Sequence, residues 1–117
     1  MTKAKDMSKD LLEHLLSLNE RAKAGVFGDC EVIINSKDHD PPHVHLLKSG
    51  KKVAKIEIPT DKVKRISDLN ITKESAYEDY IITDFIKWIN SSDNKLKSSS
   101  VSICWFLWNS LHNIVDD

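Results

Sequence analysis

The stretch CEVIINSKDHDPPHVHLLKSGKKVAKIEI, residues 30–58, decides the fold. CEVIIN (30–35) has the β-branched composition of a strand. A polar loop follows. In it Pro41 and Pro42 stiffen the chain and push the residue before each proline toward extended geometry. HVHLL (43–47) reads as a second strand, and KSGK (48–51) as a tight turn around Gly50. In the third strand, KVAKIEI (52–58), Ala54, Ile56 and Ile58 alternate with Val53, Lys55 and Glu57, and Pro59 ends it. Strands joined by short connections imply an antiparallel sheet.

Upstream, Ser8 can cap a helix over 8–24 that Gly25 ends, with Leu11, Leu12, Leu15, Leu16 and Leu18 as its apolar face. Residues 26–29, with Gly28, form a turn. Downstream, 60–72 carries Lys62, Lys64 and Arg65. Its Val63, Ile66, Leu69 and Ile71 suit either a fourth short strand or a loop crossing the sheet. A helix begins at Lys73 or Ala76 and runs to Asn90, with Ile81, Ile82, Phe85, Trp88 and Ile89 at helical spacing. After the polar linker 91–100 comes a last helix, 101–115. It is apolar on every side over 103–108, which implies burial or a share in an oligomer interface. The expected fold is α+β: a small antiparallel sheet of three to four strands with helices packed on one face. We expect one domain over 1–117, with 30–90 as its core and the helices 8–24 and 101–115 as additions.

Of the 117 residues, 40% are apolar and 30% charged, enough for one modest core and against global disorder. A net charge of -1 argues against a strongly cationic nucleic-acid binder. Cys30 and Cys104 form no CxxC pair, so a cysteine-rich zinc site or disulfide framework is not expected. The polar start, MTKAKDMSKD, has no signal-peptide core, and no apolar run approaches membrane-span length. These features point to the cytoplasm, with no membrane partner.

The chemistry concentrates in DHDPPHVHL (38–46). On a strand, His43 and His45 point to one face, together with Lys55 and Glu57, while Val44 and Leu46 point to the core. A solvent-facing cluster is expected, with His39, Asp38 and Asp40 hanging over it from the loop that Pro42 ends. His39, His43 and His45 are candidate ligands for a divalent metal such as Zn. His43 and His45 can instead act as general acid and base, since imidazole titrates near neutrality. Asp38, Asp40, Pro42, Lys55 and Glu57 complete the candidate binding surface. Two known HxH patterns do not fit. Leu47 stands where a histidine-triad hydrolase has its third alternating histidine, and Glu57 is too distant for the glutamate of a cupin. A purely structural turn uses the same residues. His14 and His112 fall in predicted helices as surface or packing residues, and the tryptophans Trp88, Trp105 and Trp108 serve the core.

The segment Asp38 to His45 also resembles the hallmark of a small bacterial domain-of-unknown-function family, numbered four-one-six-zero. Its members show a strand, an H-x-P-P-H-aromatic-H segment, a strand with A-x-I-x-I alternation, and an amphipathic helix containing a tryptophan. The matching parts here are 30–35, 39–46, 54–58 and 81–89 with Trp88; Val44 stands where an aromatic is common. The resemblance implies a component of a toxin–antitoxin-type or mobile-element gene pair, hence a cognate protein partner or an RNA-directed role. Three readings follow. One is such an accessory component, with the His39/His43/His45 loop as its functional surface and the flanking helices mediating self- or partner-association. The second is a metal-dependent or histidine-based ribonuclease or phosphodiesterase. The third is a structural or partner-binding module.

Overall fold

A computed structural model describes residues 16–17, 21–93 and 97–116. An antiparallel meander runs through β1 (Leu16–Ser17), β2 (Arg21–Phe27), β3 (Cys30–Asn35), β4 (His43–Lys48), β5 (Lys51–Glu57) and β6 (Ile71–Lys73), each strand paired with the next. The strands β2 to β6 make the sheet, and β1 adds a two-residue edge. Two helices follow, α1 (Tyr80–Ile89) and α2 (Ser100–Asp116). Between them lies a small ribbon of β7 (Ser92–Asp93) and β8 (Ser98–Ser99). The class is α+β, as the sequence implied, but the sheet is wider than three to four strands.

Turn chemistry sets the meander. Gly28 (φ 55) lies in the two-residue turn between Phe27 and Cys30. Ser49 (φ 53) and Gly50 (φ 79) both take positive φ between the paired Lys48 and Lys51, the requirement of a type I′ hairpin. Strand alternation then sends Val32, Ile34, Val44, Leu46, Ala54 and Ile56 to one face, all fully buried. Ile81, Phe85 and Ile89 of α1 and Cys104, Leu107 and Leu111 of α2 meet them at helical spacing, so both helices pack on that face. Trp105 is half-buried and donates its Nε1–H to Pro59 O at 2.9 Å. Of the apolar run in α2, Phe106 stays exposed.

Two expected elements change. The helix over 8–24 is replaced, wherever residues are described, by strand: β1 and the start of β2 occupy it, and 1–15 and 18–20 lie outside the described residues. Ala22 and Ala24 are buried around an exposed Lys23, a period of two, and Ala22 pairs with Ile34. Gly25 is therefore no helix end. Pairing slips by one residue between Lys23 and Gly25, and the Trp88 indole packs directly on Gly25. The helix expected from Lys73 or Ala76 starts only at Tyr80. Ile71–Lys73 pair with Ile56, Lys55 and Ala54 as β6. The Glu74 and Ser75 amides both donate to Val53 O, at 3.0 and 3.3 Å, so this backbone is already committed to the sheet.

A Cβ on Gly25 would lie 2.8 Å from Trp88 Cε2. Gly25→Ala should lower unfolding free energy by about 1–3 kcal/mol, the usual penalty of overpacking, as read by urea denaturation. Burial pushes the Cys104 thiol up to about 12. Burial and the adjoining Asp29 carboxylate raise Cys30 as well. Only the thiolate reacts, so neither cysteine should be alkylated at pH 8 until denaturant is added; a thiol titration checks this.

Candidate metal centre

Asp38, His43 and His45 are brought to one point by the loop between β3 and β4 and by β4 itself. Asp38 Oδ2 lies 3.2 Å from His43 Nε2 and 3.2 Å from His45 Nε2. The two rings stand edge to face, 5.0 Å between centroids and 81° between planes. Alternation along β4 explains why both histidines share a face. The loop explains why Asp38 meets them. Its amide donates to Asn35 O at 3.3 Å, the Asp40–Pro41 peptide is cis, and Pro42 O accepts the Ile58 amide at 3.0 Å.

The far side of each ring is also occupied. His43 Nδ1 lies 2.8 Å from Pro41 O. A carbonyl can only accept, so Nδ1 carries the proton and Nε2 faces Asp38. His45 Nδ1 lies 2.8 Å from Glu74 Oε1, which orders that ring the same way. Two Nε2 atoms and a carboxylate oxygen thus converge, each imidazole braced from behind by an oxygen acceptor. Metal-binding histidines are held in this manner. Among the described residues, this is the one group of three or more donors whose ligand atoms all lie within 4.8 Å of one another.

The rings are not solvent-facing as the strand pattern alone implied: His43 is 5% and His45 4% exposed. Asp38 and Glu74 close over them, and the Trp108 ring lies 5.5 Å from that of His43. The other sequence candidates lie elsewhere. His39 and Asp40 are exposed and outside the group, and Asp38 rather than His39 supplies the third donor. Pro42 ties the loop to the end of β5. Lys55 and Glu57 stand opposite His45 and His43 in the β4–β5 register. The Glu57 carboxylate takes the Asn70 amide rather than a histidine.

Two participants were not foreseen. Glu74 lies 29 positions from His45, just past β6, and only the pairing of β5 with β6 brings it there. His112, expected to be a surface or packing residue, places Nε2 2.8 Å from Asp38 O and Nδ1 2.7 Å from Trp108 O. The sequence signal was the Trp108/His112 pair, four apart on one helix face. His14 lies outside the described residues.

Fold and site together define an α+β protein with a cluster of two buried histidines and one half-buried carboxylate. The family model described as Domain of unknown function (DUF4160) matches residues 31–98, more than half of the chain, and the chain belongs to that family. No curated protein and no solved structure matches it. Among the described residues, no helix is long and apolar enough to cross a membrane.

Trp108, 4% exposed, touches both His43 and His112. Trp108→Ala should cost about 3–5 kcal/mol of stability, as a large core truncation does, measured by urea denaturation.

Proposed function

We propose that this protein binds a divalent ion of the zinc class through Asp38 Oδ2, His43 Nε2 and His45 Nε2. The observation that carries the reading is the convergence of these three atoms, with both Nδ1–H groups already engaged. Zinc–nitrogen and zinc–oxygen bonds near 2.0–2.1 Å, at the tetrahedral angle, separate neighbouring donors by about 3.3 Å. The two Asp38–histidine separations are 3.2 Å. Both of these separations suit a small ion, and the donor set suits zinc or a similar late first-row metal.

Three protein donors leave one tetrahedral position for water, the arrangement of a reactive rather than a purely structural zinc site. Metal-assisted cleavage of a phosphodiester, with RNA as a substrate, is one use of such a position. It predicts metal-dependent RNA cleavage that His43→Ala abolishes. The family resemblance supports a second, coarser reading: an accessory component of a toxin–antitoxin-type pair that acts in the cytoplasm with a cognate protein or as a homo-oligomer. That reading makes the His39/His43/His45 loop the functional surface without a metal, so a partner bound by metal-free wild type and lost in a His43→Ala/His45→Ala variant would favour it.

The metal reading is tested by metal analysis and calorimetric titration with Zn²⁺, Mn²⁺ and Ni²⁺ on tag-free protein, beside the His43→Ala/His45→Ala variant. One ion per chain is expected, lost in the variant. At a hundredfold excess over Kd, zinc should stabilise wild type by about 2.7 kcal/mol. Equal behaviour of the two proteins would overturn the assignment.

A further inference from the structure

We infer that His112 is a positioning residue of the metal centre, so that ion binding and the seating of the end of α2 are coupled. The inference rests on the metal reading above and adds a regulatory link to it.

Asp38 supplies the oxygen that both imidazoles face, so its placement decides whether the three donors meet. Its backbone is pinned at both ends. The amide donates to Asn35 O at 3.3 Å, and the carbonyl accepts from His112 Nε2 at 2.8 Å. The first contact lies within the loop; the second reaches across 74 positions from α2. The His112 ring is itself constrained. Nδ1 lies 2.7 Å from Trp108 O, and the ring stacks on the Trp108 indole with centroids 3.9 Å apart and 26° between planes. That indole lies against His43 on its way to the loop. One turn of α2 therefore touches one proposed ligand at its ring and another at its backbone.

Outer-shell partners of this kind typically set metal affinity by about tenfold to a hundredfold. Coupling between two equilibria is reciprocal. If His112 strengthens ion binding by holding Asp38, the bound ion holds the 108–112 turn in place by the same factor. The sequence shows only the Trp108/His112 half of this link, because the Asp38 carbonyl is a backbone group.

The test is zinc affinity, by competition with a chromophoric chelator, for wild type, His112→Ala, His112→Gln and Ile89→Ala, with amide exchange recorded with and without zinc. Ile89→Ala removes core volume from α1 and reports the effect of lost stability alone. His112→Ala should weaken zinc about tenfold to a hundredfold. His112→Gln, whose amide can donate to the same carbonyl, should recover most of that loss, and Ile89→Ala should lower melting temperature without moving affinity. Zinc should slow amide exchange at 108–112 in wild type and not in His112→Ala. If His112→Ala does not fold, wild-type exchange decides: protection reaching 108–112 supports the coupling, and protection confined to 36–46 overturns it. Unchanged affinity in a folded His112→Ala, or an equal loss in Ile89→Ala, overturns the coupling alone. No binding by wild type overturns the metal reading and the coupling with it.

Discussion

The Asp38 carboxylate faces two imidazole nitrogens at 3.2 Å while the opposite nitrogen of each ring is held by another oxygen. A carboxylate oxygen accepts, and so does an imidazole nitrogen without its proton. Asp38 and each imidazole repel at this distance unless positive charge lies between them, as a proton on Nε2 or as a cation. The surrounding structure serves that constraint. Alternation in β4 puts both rings on one face, the I′ hairpin and the one-residue slip between Leu47 and Leu46 set the register of β4 on β5, and β6 carries Glu74 to His45 Nδ1.

Much of this was legible in residues 30–58. Alternation at Ala54, Ile56 and Ile58 gave the core face, and period two gave the shared face of His43 and His45. Strand Cys30–Asn35 appears with the bounds read for it. What was not legible has physical causes. β2 carries two alanines and a glycine, with little of the β-branched content that marks a strand, so the leucines before it extended a helical reading across it. β6 is three residues long and is defined by its partner, β5. His39 was grouped with His43 and His45 because a loop has no period. Position in sequence says nothing about which loop side chain turns inward, and here Asp38 does. Glu74 and His112 arrive from other elements, and no local pattern encodes a contact over 29 or 74 positions.

The all-round apolar run in α2 posed a choice between burial and association, since both remove apolar surface from water. The structure divides it residue by residue. Cys104, Leu107 and Trp108 are buried, Trp105 is half-buried while its N–H finds Pro59 O, and Phe106 faces outward. A single outward ring is ordinary surface for a protein of this size. Trp108, which composition alone assigns to the core, also walls the histidine–aspartate cluster through His43.

Burial within the centre is uneven, and the unevenness decides how it can exist. The imidazole side chains are 7% and 6% exposed, whereas the Asp38 and Glu74 side chains keep 23% and 27%. A neutral imidazole loses little on leaving water; a carboxylate loses a great deal. The chain seals the groups that tolerate desolvation and leaves the anionic ones at the water's edge. Water then meets part of the carboxylate charge, which lowers the cost of holding two anionic groups beside two sealed rings.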